Sequence, residues 1–273
     1  MLDEPVHSDA GAASSSPDEG DATKPGETIL RQEIETGMEQ LRRPTSGLLL
    51  SAVSAGLDVG FGPLMVLTVL ALTPAETLTS RLVTALAYSI GFVIVILGKS
   101  ELFTEHTTLA ILPLLSGQTT MRRVARLWAM VYAGNLIGAM AFAALAVALG
   151  PGLHLFTAAD VARLCDDITA FGAWVIFGSG VAAGWMMGLV SWLVTAARDT
   201  VGQVLLIILV TGSISFLHLH HSIAGSVEVL MGVWTGHVSP LGFARFLALA
   251  TAGNAIGGIV LVAGVKYGHV RKA

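Results

Sequence analysis

The chain has 273 residues, of which 53% are hydrophobic and 12% charged, with a mean hydropathy of +0.74. A water-soluble domain carries about 25% charged residues, so this composition excludes an ordinary soluble globule and points to a chain solvated by lipid. The formal net charge of -4 says little about partners, the acidic N-terminal tail lacks the basic surface that nucleic acid needs, and a single cysteine, Cys165, excludes an internal disulfide framework or a cysteine-rich metal site.

Residues 1–28 are acidic, rich in Ser, Pro and Gly, and lack an apolar core. They are expected to form a disordered tail and not a cleavable signal peptide. The next stretch, 29–44, sets Ile29, Ile34, Met38 and Leu41 near helical spacing between charges, which predicts an amphipathic cytoplasmic helix ended by Pro44. It is a candidate plug for the vestibule on that side. Six apolar blocks follow, at about 46–72, 80–115, 124–149, 171–197, 200–235 and 240–266. Each meets the length of about 20 residues that a bilayer crossing needs, so 45–267 is predicted as the channel domain and 268–273 as a short cytoplasmic tail.

The second and fifth blocks are too long for one span and are broken inside, by GKSELFTEH (98–106) and LHLHHSIAG (217–225). Basic residues cluster at alternate block ends: Arg42 and Arg43, then Arg122, Arg123 and Arg126, then Arg198, then Lys266, Arg271 and Lys272. The positive-inside bias therefore predicts a multi-pass protein with both termini and the 2/3 and 4/5 loops in the cytoplasm. The 3/4 loop, with Asp160, Asp166 and Asp167 against Arg163, is then outside. Arg81 and Arg245 depart from this pattern.

Self-similarity organises the blocks. AGNLIG (133–138) recurs as AGNAIG (252–257), an offset of 119 from Asn135 to Asn254. The same offset lays SELFT over LHHSI and makes the two breaks pseudo-equivalent, while AGLDVG (55–60) matches AGWMMG (183–188) at an offset of 128. Three spans per copy is an odd number, so the second copy enters the membrane from the opposite side. The predicted fold is an all-α polytopic membrane protein of six transmembrane helices, two inverted three-helix repeats with helices 2 and 5 broken, as in an aquaporin-like protomer. Such repeats place a permeation path near the midplane, where interrupted helices turn their ends toward the permeant species. The glycines of the AGNxIG motifs are also a small-residue packing surface.

The residues near the breaks carry the candidate chemistry. Lys99, Glu101, Glu105, Glu228 and, in the first span, Asp58 are intramembrane charges; each costs about 2.5 to 3.5 kcal/mol at a helix centre and is expected to pair or to line a polar path. A metal-ion transporter using His218, His220 and His221 is one alternative, although neighbouring side chains in a helical turn point apart and a full site needs further ligands. A neutral-solute facilitator is another, against which stands the lack of an Asn-Pro-Ala motif at either break. No P-loop, Gly-x-Ser-x-Gly or HExxH sequence supports an enzyme, and neither a cofactor nor a metal site is expected.

YSIGFVIVILGKSELFT (88–104), YAGNLIGA (132–139), HSIAGSVEVL (221–230) and AGNAIGG (252–258) together resemble the formate/nitrite transporter family, pentameric channels for small monovalent anions and their acids. The likeness spans about 46–266, and SELFTEH, HHSIAGSVEVL and AGWMMGLVSWL are similar to its YfdC-like branch. The resemblance implies a homopentamer in a bacterial-type plasma (inner) membrane with a pore in each protomer. It also implies a central histidine at His221 with His220 beside it, Leu102 and Thr104 in the loop that breaks span two, and apolar constrictions at Tyr88, Phe92 and Ile214. Two positions depart from the family pattern: DDITAFGAW holds no vestibule lysine near Ile168, and Gly184 stands where the family has a span-four asparagine. Lys99 is a candidate to attract anions in place of that lysine, the other reading being a local salt bridge.

The function expected is a channel or proton-linked transporter for small monovalent anions or weak acids. An anion entering an apolar constriction loses its hydration unless its charge is cancelled. Histidine can lend charge or pass a proton near neutral pH, and an anion hydrogen-bonded to a neutral imidazole fits as well.

Overall fold

The computed structural model describes residues 24–73 and 76–272; most of the expected disordered tail lies outside the described residues. Helix α1 (Gly26–Arg42) buries Ile29, Leu30, Glu33, Gly37 and Leu41; it overlaps the expected amphipathic helix over 29–42 and starts within the last residues of the expected tail. The first span is two helices, α2 (Thr45–Asp58) and α3 (Phe61–Leu72). Pro63 explains the interruption, because it has no N–H to give to the carbonyl of Val59. That carbonyl takes the Gly62 N–H at 3.1 Å instead.

The second block gives α4 (Leu78–Leu97), started by a capping box between Thr77 and Ser80, then α5 (Phe103–Leu109) and α6 (Ile111–Leu115). Helix α7 (Met121–Leu149) is the third span. The 3/4 connection carries a helix of its own, α8 (Ala158–Thr169), opened by a Thr157–Asp160 capping box. Helix α9 (Ala173–Ala196) is the fourth span, α10 (Thr200–Phe216) and α11 (Ser222–Trp234) form the broken fifth, and α12 (Pro240–Ile256) continues through a π-helical stretch (Gly257–Gly264) into α13 (Val265–Lys272). Five helical stretches among the described residues are long and apolar enough to cross a bilayer, and α10 and α11 are shorter apolar helices. Leu50, Leu86, Leu145 and Leu205 point outward, as a lipid-facing surface requires.

Contacts divide the loops between two faces. On one, α1 packs beside α13, with Gly26 against Val270, while Gly37 meets Leu109 and Pro113, and Lys24 Nζ donates to Thr195 O at 2.6 Å. Both described ends and the 2/3 and 4/5 loops are therefore together on the α1 face. On the other, Arg163 of α8 donates to Leu70 O, and His237 lies 2.8 Å from Asp166, which gathers the 1/2, 3/4 and 5/6 connections on the α8 face.

The inverted repeat is explicit in three dimensions. Ser89 Oγ lies 3.3 Å from Ile208 O, and Tyr132 Oη lies 2.9 Å from Thr251 Oγ1; both pairs are 119 residues apart. Residues related by a two-fold touch each other only close to its axis, so the pseudo-two-fold axis passes between α4 and α10 and between α7 and α12. Away from the axis the copies repeat the same crossings. A Cβ on Gly138 would lie 2.3 Å from Val53 O, and one on Gly257 would lie 2.1 Å from Val181 O, so both positions need glycine to let two backbones meet.

Candidate functional site

Each break is made the same way. Lys99 (φ 58) and His218 (φ 52), residues 119 apart, occupy the left-handed region and turn the chain out of its helix. Beside them Ser100 N–H donates to Val95 O at 3.1 Å, and Leu219 N–H to Ile214 O at 2.9 Å. The chain then re-enters helix with Leu102 as the N-cap of α5 and His221 as the N-cap of α11, at closely similar backbone angles.

Two buried asparagines hold these breaks open. Asn135 Nδ2 donates to Ala52 O and Glu101 O, both at 2.8 Å, and its Oδ1 accepts the Phe103 N–H at 2.8 Å. Asn254 does the same in the second copy: Nδ2 donates to Gly180 O at 2.8 Å and His220 O at 2.9 Å, and Oδ1 accepts the Ser222 N–H at 2.8 Å. Each carboxamide thus satisfies two backbone groups that a broken helix leaves without partners and ties them to a carbonyl of a neighbouring helix. The glycines of AGNxIG are legible as a packing surface, while the signal for the asparagines between them is a polar residue repeated inside an apolar helix.

His221 bridges the two copies. Its Nδ1 accepts the N–H groups of Ile223 (3.2 Å) and Ala224 (3.1 Å), which places the ring proton of the neutral imidazole on Nε2. That N–H donates to Thr104 Oγ1 at 2.9 Å. Phe92 packs edge-on to the imidazole with ring centroids 5.1 Å apart, and Tyr88 lies 5.2 Å from Phe92. Phe92, Leu102, Thr104 and Ile214 have no exposed surface and His221 has 1%, so an apolar collar surrounds one hydrogen-bonded pair.

A cavity of about 720 Å³ runs from the α8 face to this collar and ends on His221, with Tyr88 and Glu228 deep inside and Glu76, Arg81, Arg163, Asp166, Asp167 and His218 toward its mouth. Burial raises the Asp167 carboxyl above its ordinary value. Ile168 is on the wall, so the family's lysine position does border this space, and the cations nearby are Arg81 and Arg163.

The remaining predicted residues separate. Lys99 is exposed and is not among the residues lining the cavity. Glu101 does not pair with it: its carboxylate accepts from Arg43, 58 residues earlier, and from His106 Nε2. Asp58 accepts from Ser54 Oγ at 3.0 Å and Ser100 Oγ at 3.2 Å, tying the first span to the first break. Glu105 is half-buried. The three neighbouring histidines diverge: His220 Nε2 donates to Ile168 O at 2.9 Å while its Nδ1 meets Ser179 Oγ, His221 meets Thr104, and His218 lies 3.8 Å from Glu76.

One buried carboxyl escaped the sequence reading. Glu33 of α1 accepts from Ser191 Oγ at 3.0 Å and Thr195 Oγ1 at 2.6 Å, at the end of α9. Burial raises it from 4.5 to about 7.

Residues 27–268 match the family described as formate/nitrite transporter. The inner membrane protein YfdC of Escherichia coli K12 is 31% identical over 241 residues, covering 87% of this chain and 76% of that protein. The formate channel FocA of the same strain is 26% identical over 247 residues, covering 79% of this chain and 83% of its own length. A solved pentameric formate channel with formate bound superposes with a TM-score of 0.71 at 23% identity, over 84% of this chain and 98% of the other.

Proposed function

The chain belongs to the formate/nitrite transporter family, and from that premise we propose that each protomer of a homopentamer carries a small monovalent anion, or its conjugate weak acid, past His221. The observation that carries this reading is the His221–Thr104 hydrogen bond at the closed end of the cavity. It joins the two pseudo-equivalent breaks at the only polar pair in an otherwise apolar collar, where a desolvated anion would need a donor. The pentamer and the formate-like permeant are supported by the likeness to the pentameric formate channel and by FocA. The inner membrane is supported by YfdC, and cytoplasmic termini by the basic residues on the α1 face.

Polar contacts at the collar stabilise the permeant without filling the path. Thr104 accepts the imidazole N–H and keeps its own hydroxyl proton for a third group. Gly184 packs against Asn254, since a Cβ there would lie 2.1 Å from Asn254 O, so a span-four asparagine has no room at this position. Selectivity must come from other groups on the path.

The test is flux of formate, nitrite, acetate and lactate into proteoliposomes, for the wild type and His221→Ala. Saturable flux of one of these that collapses in the variant supports the reading. Equal flux in the two proteins, or none in either, overturns it.

A further inference from the structure

We propose that Glu228 is the proton donor of this pore, converting an entering anion to its neutral acid before the collar. The inference rests on the anion/weak-acid reading above and assigns the proton that reading needs. The histidine at the collar is poorly placed to supply it. Both His221 nitrogens are committed, Nδ1 to two backbone N–H groups and Nε2 to Thr104, so giving up the Nε2 proton breaks the bond to Thr104 and adding one at Nδ1 dismantles the cap of α11.

Glu228 is placed to supply it. It lies seven residues beyond His221 on α11, two turns along the same face and about 10 Å nearer the α8 face. Its side chain borders the cavity, the residue is 7% exposed, and no hydrogen bond or ion pair of its carboxyl joins it to another described residue. Only its backbone carbonyl is engaged, by Cys165 Sγ. A buried carboxyl that faces a cavity without a protein partner leaves that partner to be supplied by what enters.

Among the described residues Glu228 is the carboxyl deep in this space, while Asp166, Asp167 and His218 lie toward its mouth. Tyr88 and Arg81 of α4, and Arg163, Cys165, Asp166 and Asp167 of α8, are packed around this space, as are His218, His220 and His221 of the break. The Tyr88 phenol hydrogen-bonds but is too weak an acid to protonate a permeant. Helix α3 has no titratable residue; Tyr132 of α7 is bonded to Thr251, His106 of α5 to Glu101, and Arg245 of α12 to Phe171 O.

The step balances with one proton. The Glu228 O–H bond breaks as an O–H bond forms on the anion, leaving a carboxylate and a neutral acid. The acid passes Phe92, Leu102 and Ile214 without an ion's desolvation cost. The carboxylate then takes a proton from hydronium entering through the cavity mouth, and the acid releases its own beyond the collar. One proton therefore accompanies each anion.

The experiment is formate uptake into proteoliposomes with a trapped pH dye, from about pH 5 to about 7.5 outside, for wild type, Glu228→Gln and Glu228→Asp. Pentamer recovery is checked by size-exclusion chromatography. The glutamine variant should lose on the order of 100-fold in rate and its residual flux should lose the acid dependence, whereas aspartate should keep an acid-dependent profile at lower rate. Wild-type rate and pH profile in Glu228→Gln overturn the assignment and leave the channel reading standing. Reduced flux with an unchanged profile assigns Glu228 a packing role and also overturns it. If the glutamine variant does not assemble, an aspartate profile without acid dependence overturns it. A wild type that moves no acid overturns both readings.

Discussion

Asn254 shows how much a single side chain can hold in this fold. It satisfies the Ser222 N–H and the carbonyls of Gly180 and His220, and each buried group left unpaired costs about 1 to 3 kcal/mol. Asn254→Ala is therefore expected to lower the melting temperature in detergent by several degrees and to abolish flux, and Asn254→Asp, which cannot donate, to do nearly the same. Melting curves that match the wild type would remove the clamp from the argument. Thr104 makes a narrower prediction: Thr104→Ser keeps the acceptor for His221 Nε2–H and should retain flux, while Thr104→Val removes it and should lower flux about 10-fold, the effect of roughly 1.4 kcal/mol. Equal flux in the two variants would count against the pair. His221, Leu102 and Thr104 were legible in the sequence because the repeat marks both breaks and the resemblance marks positions within them. The asparagine clamps, the Arg43–Glu101–His106 chain and the Ser179–His220 contact were not, since most of these partners lie tens of residues apart and no local spacing joins them.

Helix α1 shows the same limit at the scale of an element. Its apolar spacing was readable, but its anchor is a carboxyl, Glu33, received by hydroxyls of α9 some 160 residues later. An undocked α1 would return Glu33 to its ordinary 4.5, against about 7 when docked, because burial disfavours the ionised form. As pH rises from 4.5 to 7 the undocked form gives up its proton while the docked form keeps it, so docking weakens across this window. The loss totals about 3 kcal/mol above pH 7 and nothing is lost below 4.5. Hydrogen exchange of residues 26–42, corrected for intrinsic rates, should show stronger protection at pH 5 than at pH 8, and Glu33→Gln should remove the difference. A glutamine variant with the wild-type pH response would show that another group sets it. Block lengths gave the six spans correctly, whereas the break at Val59 and Gly60 needed Pro63 to be read as a lost donor, and α8 needed its Thr157–Asp160 box to be read as a helix start.

The whole molecule is a set of alternating layers around one pseudo-two-fold axis, and its charge distribution gives that arrangement a direction. Arg42, Arg43, Arg122, Arg123, Arg126 and Arg198 belong to the α1 face, with Lys266, Arg271 and Lys272 of the adjacent last helix. Inversion of the second repeat is what brings these clusters together, since an odd number of spans separates each copy's corresponding ends. The positive-inside bias then predicts that the α1 face is cytoplasmic. The protein is nearly its own cysteine-free background for testing this: Cys165 has no exposed surface, and burial pushes its thiol up to about 12, which keeps it from reacting as a thiolate. Leu153→Cys adds a thiol on the α8 face at a residue 64% exposed, and Met121→Cys adds one on the α1 face at a residue 49% exposed. In intact cells a membrane-impermeant maleimide should label position 153 and spare position 121 until the membrane is permeabilised. The reverse pattern would invert the protein, placing the cavity and Glu228 on the cytoplasmic side and making the same chemistry one of acid export.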